Sequence, residues 1–227
     1  MRNADELLSI LRIDAHDIKL YNLALTHPSY NVDANTVHQD YERLEYIGDA
    51  VLGYVSADLI YRNHPDMDQG KMSKLRSYLV KSKSLASYAR KINLAEYIKA
   101  GHSLPSEQVN QSDKILEDVF EALIGAIYLD NGIQVAYKYI KNFIEEDIQN
   151  TDESVLTDPK TLLQEMMQAE SRESVHYECI KQDGPAHNRT FTVNVLFNDI
   201  VLATGIGKSK KEAEEEAARQ ALKKRCV

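Results

Sequence analysis

The chain has 227 residues, of which 43% are hydrophobic and 27% charged, and its formal net charge is −8. This length allows one large domain or two modest domains with packed cores. Two cysteines, at positions 179 and 226, are too few for a disulfide framework, and the acidic N-terminus differs from a signal peptide. The longest apolar stretch, around residues 122–129, is too short to span a bilayer, so we expect a cytoplasmic protein.

Apolar residues at three- and four-residue spacing predict helices throughout residues 1–148. The predicted helices cover residues 4–11, 17–25, 41–62, 71–80, 82–92, 112–130 and 133–147. Residues 149–157 are polar and weakly patterned, which is typical of a linker. The first part of the chain is therefore predicted to be an all-α domain that ends near residue 148.

Residues 158–227 show a different pattern, in which two helical segments flank alternating apolar residues. The Asp158–Pro159 pair is typical of a helix start, and Asn198–Asp199 is typical of a turn between strands. The predicted elements are a helix after residue 158, strands near 175–179, 191–197 and 200–205, and a helix over 210–224. This pattern predicts a small α-β-β-β-α domain, so the fold class is multidomain.

Two of the predicted helices place acids among apolar residues. In ERLEYIGDAVL, at 42–52, the acids Glu42, Glu45 and Asp49 fall within an arc of about 60°. In ILEDVFEALIGAIYLD, at 115–130, Asp118 and Glu121 share one helix face. Acids in such surroundings cost desolvation free energy unless they are paired or bind a cation, and Mg²⁺ prefers oxygen ligands. The two segments therefore indicate either solvated helix faces or one carboxylate cluster around a divalent cation.

The tail carries basic residues at a helix start, where the helix dipole disfavours cations. Two interpretations are open for Lys208, Lys210 and Lys211. Either a phosphate binds at this helix start, or the three lysines are an ordinary run of solvated charges. The GPAHNRTF loop places His187 between two strands, where it either reaches into a groove or lies on the surface. Residues 157–227 carry 11 Lys/Arg and 11 Asp/Glu, so the acidic excess lies in residues 1–156 and does not exclude a nucleic-acid partner.

Taken together, these segments resemble bacterial ribonuclease III over essentially the whole chain. ERLEYIGDAVL is similar to the family signature ERLEFLGDAVL, and the other nuclease-like segments are LTHPSY, GKMSKLRSYLV and ILEDVFEALIGAIYLD. Three later segments resemble, in the right order, the RNA-contacting regions of a double-stranded-RNA-binding domain: DPKTLLQEMMQ, GPAHNRTF and KSKKEAEEEAA. The resemblance implies an endonuclease domain over 1–148, a linker over 149–157 and an RNA-binding domain over 158–227.

The resemblance also implies an activity: a homodimeric endoribonuclease, with no membrane partner, that cuts both strands of double-stranded RNA. Mg²⁺ is the implied cofactor, with Mn²⁺ as a substitute. The implied products have 5′-phosphate and 3′-hydroxyl ends with short 3′ overhangs, and the implied role is processing of ribosomal, messenger and transfer RNA precursors.

Family roles transfer residue by residue. The implied metal ligands are Glu45, Asp49, Asp118 and Glu121, of which Asp49 and Glu121 are also catalytic, and Glu42 is a supporting acid. The implied RNA-binding residues are Thr161, Gln164, Glu165, Gln168, His187, Lys208, Lys210 and Lys211. The chain departs from the family pattern at Tyr46, Gln69 and Glu117. Tyr46 replaces a common Phe where the dimer packs, Gln69 replaces a common acid, and Glu117 adds charge beside the site.

Two other functions stay open at this point. One is a protein that binds duplex RNA without cutting it, and the presence of all four acids argues against it. The other is a helical dimerisation module fused to a small α/β domain, and the basic helix start beside a Gly-Pro-x-His loop argues against it. Incubation with long duplex RNA, in Mg²⁺ and separately in a chelator, distinguishes the three functions. The nuclease cleaves only with metal, the binding protein retains RNA without cleaving it, and the dimerisation module does neither.

Overall fold

The computed structural model describes residues 2–34, 40–151, 158–170, 173–185 and 189–225. The described residues form two compact units that divide after Thr151. Helices make up the first unit, and a three-stranded antiparallel sheet flanked by two helices makes up the second. This confirms the predicted fold class, an all-α domain followed by a small α-β-β-β-α domain.

The helices predicted for the first unit are present, and their ends differ from the prediction by three residues at most. The described helices are α1 (Ala4–Leu11), α2 (Ile18–Ala24), α3 (Pro28–Ala34), α4 (Glu42–Asn63), α5 (Gln69–Leu79), α6 (Ser82–Lys91), α7 (Ser106–Gln111), α8 (Asp113–Asn131) and α9 (Ile133–Asn150), with a 3-10 helix at Leu94–Tyr97. Helix α9 therefore includes the first two residues of the predicted linker.

Helices α3 and α7 and the 3-10 helix were not predicted, because all three are short and α3 and α7 contain too few apolar residues to define a period. Such short helices depend on tertiary contacts rather than on intrinsic propensity. Helix α3 begins at Pro28, and the His27 ring nitrogen Nδ1 accepts a hydrogen bond from the Ser29 N–H at 3.0 Å. Helix α7 is anchored by Val109, which is buried.

Helices α4 and α8 lie against each other, and two glycines allow their backbones to touch. A Cβ atom on Gly48 would overlap the Glu121 carbonyl oxygen, and one on Gly125 would overlap the Leu44 carbonyl oxygen. The part of α8 between Leu116 and Ile127 is buried on most sides, because most of its residues are apolar. Its buried apolar residues are Leu116, Val119, Phe120, Ala122, Leu123, Ile124, Ala126 and Ile127. The close crossing therefore places the acids of α4 beside those of α8.

The second unit is built on a sheet with strand order β1-β2-β3. Its elements are α10 (Pro159–Glu170), β1 (His176–Asp183), β2 (Thr190–Phe197), β3 (Ile200–Gly207) and α11 (Lys210–Arg225). Asn198 and Asp199, which form the turn between β2 and β3, both have positive φ, as a two-residue type I′ turn requires. The Asp158 side chain accepts hydrogen bonds from the N–H groups of Lys160 and Thr161, which confirms the predicted helix start.

The core of the second unit lies between the sheet and the two helices. Its buried residues are Leu163, Met167, Val195, Ala203, Ala217, Ala218 and Ala221. Helix α11 approaches β3 so closely that a Cβ atom on Gly205 would overlap the Ala213 carbonyl oxygen. Small residues on both elements thus hold α11, and the lysines at its start, against the sheet.

Candidate metal centre and RNA-binding surface

The packing of α4 on α8 brings three of the predicted metal ligands together. Carboxylate oxygens of Glu45, Asp118 and Glu121 all lie within 4.8 Å of one another. Asp118 and Glu121 are each 7% exposed, and Glu45 is half-buried. The alternative of fully solvated helix faces is therefore excluded for these acids.

The other two predicted acids, Asp49 and Glu42, lie on exposed parts of α4 outside this three-oxygen set. Both still influence it. Burial is the main cause that raises the pKa of Glu121 and of Glu45; the charge of Asp49 adds to the first shift, and the charge of Glu42 adds a smaller part to the second. They therefore lie close enough to contribute to the electrostatics of the cluster.

One carboxyl group of the acidic cluster, that of Glu121, has a pKa well above its ordinary value. Burial, followed by the charges of neighbouring acids with Asp49 first, raises the pKa of Glu121 to about 8. Burial and the charge of Asp118 also raise the pKa of Glu45, while Lys114 acts in the opposite direction. Desolvation and like charges both penalise the ionised form. A cation among these oxygens would remove much of that penalty.

Tyr41 and Lys114 contact the cluster, and neither was predicted. The Tyr41 hydroxyl donates to Asp118 Oδ2 at 3.3 Å, and Lys114 Nζ lies 2.5 Å from Asp118 Oδ1. The Tyr41 ring in turn packs edge-on against His27 at 5.7 Å between centroids. Two sequence signals were available: Tyr41 directly precedes the acidic segment, and Lys114 stands one helical turn before Asp118.

The donor set fits a hard divalent cation. Three carboxylates converge from two helices, two of them are buried, and oxygen ligands are what Mg²⁺ and Mn²⁺ prefer. The raised pKa of Glu121 is consistent with this, because burial first, and then the charges of neighbouring acids, disfavour its ionised form in the absence of a cation. We therefore regard the cluster as a candidate metal centre.

In the second unit, α10 presents predicted RNA-binding residues on its outer side. Thr161, Glu165 and Gln168 are exposed, opposite the buried residues Leu163 and Met167. The fourth predicted residue of this helix, Gln164, is half-buried, and its Oε1 accepts a hydrogen bond from the Val175 N–H at 3.0 Å. Gln164 therefore also helps to fix the chain that enters the sheet.

The predicted lysines lie at the start of α11. The side chains of Lys208, Lys210 and Lys211 are exposed, and Lys211 Nζ approaches Glu215 Oε1 only to 3.9 Å. Ser209 Oγ caps the helix by accepting from the Glu212 N–H at 3.1 Å, and the Glu212 carboxylate accepts from the Lys208 N–H at 2.6 Å. This cap holds the basic segment in place. His187 lies outside the described residues.

These two units match two known domain types. A profile described as Ribonuclease-III-like matches residues 17–148, and one described as double-stranded RNA binding motif matches residues 159–225. The fold and the acidic cluster thus define a helical nuclease domain followed by a double-stranded-RNA-binding domain.

Whole-chain comparisons identify the family. The chain is 39% identical to Ribonuclease 3 from Syntrophomonas wolfei over 226 residues, covering 100% of this chain and 97% of the relative. It is 38% identical to Ribonuclease 3 from Streptococcus pyogenes serotype M2, covering 98% and 97% of the two chains. The nuclease domain of ribonuclease III from Campylobacter jejuni is 33% identical with a TM-score of 0.59, covering 63% of this chain and 97% of that domain. The chain belongs to the ribonuclease III family.

Family membership supports a double-strand-specific endoribonuclease activity. The solved Campylobacter structure is described in terms of a region involved in dimer formation. Within the described ranges of this chain, no helix has both the length and the apolarity needed to cross a membrane.

Proposed function

We propose that this chain is a divalent-metal-dependent endoribonuclease that hydrolyses phosphodiester bonds in double-stranded RNA. Its proposed products carry 5′-phosphate and 3′-hydroxyl ends with short 3′ overhangs. The observation that carries the proposal is the convergence of Glu45, Asp118 and Glu121 oxygens within 4.8 Å, on two helices whose backbones touch. The described part of the chain provides a convergent acid set, which a protein that only binds RNA does not need.

The proposed metal is Mg²⁺, with Mn²⁺ as a substitute, held by Glu45, Asp49, Asp118 and Glu121. When bound, a divalent cation lowers the pKa of water and stabilises negative charge on phosphate oxygens. Tyr41 orients Asp118 through its hydroxyl, and burial together with the charge of Asp118 raises the pKa of Tyr41, so that the hydroxyl stays a donor. Asp49 and Glu121 are the proposed catalytic residues, and Glu42 is the proposed supporting acid.

The proposed RNA contacts belong to the second domain. Duplex RNA has a deep, narrow major groove, so proteins recognise its shape, its 2′-hydroxyl groups and its phosphates. We propose that minor grooves are contacted by the outer side of α10 and by the loop that carries His187. The three lysines at the start of α11 are proposed to contact the phosphates between these grooves. Exposure of Lys210 and Lys211 supports this assignment.

We also propose that the chain forms a homodimer through its nuclease domain. Helix α4 exposes Tyr46 (82%), Tyr54 (59%) and Tyr61 (70%) along one face. Beside Tyr46 lies a cavity of about 580 Å³, and its apolar lining includes Leu20, Leu23, Leu44, Ile47 and Leu129. A projecting ring beside an apolar cavity is self-complementary across a two-fold axis, which would place two metal centres on one duplex. Sedimentation as a monomer at micromolar concentration would contradict this assignment.

The biological setting is proposed from the family alone. Precursors of ribosomal, messenger and transfer RNA in the cytoplasm are the proposed substrates. Mapping of cleavage sites on total RNA, with and without the enzyme, tests this, and it fails if structured precursors are not cut.

The central test separates cleavage from binding. Glu121→Gln is expected to bind long duplex RNA with unchanged affinity and to lower cleavage by at least about 10³-fold, because the cation that stabilises transition-state charge loses a proposed ligand. Glu146→Gln, an exposed acid on α9, is the matched control and should cleave normally. Each protein is incubated with RNA in Mg²⁺ and in chelator. Cleavage in chelator, or undiminished cleavage by Glu121→Gln, would disprove the assignment.

A further inference from the structure

Lys114 links the two acidic helices through a single ammonium group. Its Nζ atom lies 2.5 Å from Asp118 Oδ1, 3.8 Å from Glu45 Oε1 and 3.9 Å from Glu117 Oε2. Asp118 and Glu45 are two of the three residues whose oxygens converge in the candidate metal centre. Lys114 is thus paired with the carboxylates of two residues that a metal ion in this centre would contact.

The ammonium group is suited to this position. It offers three hydrogen-bond donors, and its positive charge reduces the repulsion between carboxylates that face each other. In agreement, the hydrogen bond to Asp118 raises the pKa of Lys114, and Lys114 opposes the upward shift in the pKa of Glu45. The side chain is nevertheless 68% exposed, so the ammonium group is able to leave without any repacking of the core.

A divalent cation and Lys114 are expected to exclude one another. A carboxylate oxygen that accepts from an ammonium group shares its lone pairs with that group, and two cations within one oxygen shell repel each other. Glu117 contacts Lys114 but does not belong to the three-oxygen set. Glu117 can therefore pair with the displaced ammonium group without being a metal ligand. This gives a role to Glu117, an acid at which the chain departs from the family pattern.

We propose that Lys114 is a built-in counter-ion that competes with the divalent metal for Glu45 and Asp118, and so raises the metal concentration that the enzyme needs. Lys114 is a positioning residue in this scheme, because it acts through the metal ligands and holds them together in the metal-free protein. The inference rests on the proposed function, since it takes these acids to be the metal site.

Thermal unfolding of the full-length chain in a Mg²⁺ titration without RNA measures metal binding separately from cleavage. Lys114→Gln is expected to lower the Mg²⁺ concentration at half-maximal stabilisation about fivefold, which equals ~1 kcal/mol, the size of one partly exposed ion pair. Its unfolding temperature without metal should fall below that of the wild type, because the acids lose their counter-ion. Lys114→Arg retains the charge and should behave like the wild type.

Two further variants serve as references. Lys141→Gln removes a half-exposed lysine from a similar i,i+4 pair, with Glu145 at 3.2 Å, and should leave the Mg²⁺ titration unchanged. Glu121→Gln removes a proposed ligand and should abolish stabilisation by Mg²⁺. Lys114→Met provides a second neutral side chain if Lys114→Gln does not unfold cooperatively.

The outcomes separate this inference from the proposed function. If Mg²⁺ stabilises the wild type but the neutral Lys114 variants need as much Mg²⁺ or more, the role of Lys114 is overturned and the metal site stands. If Mg²⁺ stabilises neither the wild type nor Glu121→Gln, both proposals are overturned. A lower Mg²⁺ requirement in the neutral variants, together with wild-type behaviour of Lys114→Arg, supports the competition.

Discussion

The nuclease domain buries two acids of its candidate metal centre, whereas the RNA-binding domain exposes the lysines of its proposed RNA contact. Asp118 and Glu121 are each 7% exposed, while the Lys211 side chain is 83% exposed. Buried like charges repel strongly and must be held together by packing, but exposed lysines need only face a polyanion. Changes in backbone packing should therefore disrupt the first site, and changes in the number of charges should weaken the second.

The largest expected effect comes from filling the contact between α4 and α8. Gly48→Ala places a methyl group on the Glu121 carbonyl oxygen, so the helices must separate. We expect the free energy of unfolding to fall by at least about 3 kcal/mol, at the upper end of overpacking costs. Chemical denaturation measures this, and Mg²⁺ stabilisation should weaken with it.

Gly53→Ala is the matched control on the same helix. A Cβ atom there meets nothing within 4 Å, so alanine should stabilise the protein slightly, by up to about 1 kcal/mol. Gly53 shares the exposed face with Tyr46, so the oligomeric state of both variants is measured alongside. Equal effects of the two substitutions would show that the close helix contact does not hold the site together.

The second effect is a pH dependence of stability in chelator. The folded pKa of Glu121, about 8, lies above its ordinary value of 4.5, so the folded state binds more protons between these values. Stability should therefore fall as pH rises through this window and level off above pH 8. After allowance for solvent screening, we expect the free energy of unfolding to fall by on the order of 2 kcal/mol between pH 5 and 8. Glu121→Gln should not show this fall.

Unfolding free energies across this pH range, measured for Glu121→Gln and for the exposed control Glu146→Gln, isolate the contribution of Glu121. The control should follow the wild type. If Glu121→Gln retains the full pH dependence, burial does not hold this carboxyl group protonated. Saturating Mg²⁺ should flatten the wild-type curve, because a bound cation favours the ionised form.

The smallest effect concerns the exposed lysines. Lys210→Ala with Lys211→Ala is expected to weaken duplex-RNA binding roughly tenfold and to reduce the slope of log affinity against log salt by about two. Fold and cleavage chemistry should be unaffected, because neither side chain is buried. Filter binding at several salt concentrations measures the slope.

The paired control is Lys138→Ala with Lys141→Ala on α9, which removes two lysines from the nuclease domain. It has the same change in net charge, so it separates local phosphate contacts from general attraction. A salt slope that falls equally in both double variants would argue against phosphate binding at the start of α11.

Local pattern accounts for most of the secondary structure and for the chemical character of each site. The apolar spacing in α4 and α8 predicted both helices and the acidic side of each, and Asp158–Pro159 predicted the start of α10 within one residue. Helices α3 and α7 were not predicted, because the apolar spacing of such short segments is not informative. They are stabilised instead by the hydrogen bond to His27 and by the burial of Val109. All of the RNA contacts stay predictions, namely those of Thr161, Gln164, Glu165, Gln168, His187, Lys208, Lys210 and Lys211.

The sequence by itself determined which helices carry acids, where the basic helix start lies, and which family the motifs resemble, because these properties depend on residues close together in the chain. Only the tertiary structure decided that Glu45, Asp118 and Glu121 converge while Asp49 stays outside their oxygen set. It also decided that Tyr41 and Lys114 join Asp118. The physical reason is that these contacts depend on the separation and rotation of two helices, which the glycine contacts between α4 and α8 allow to approach.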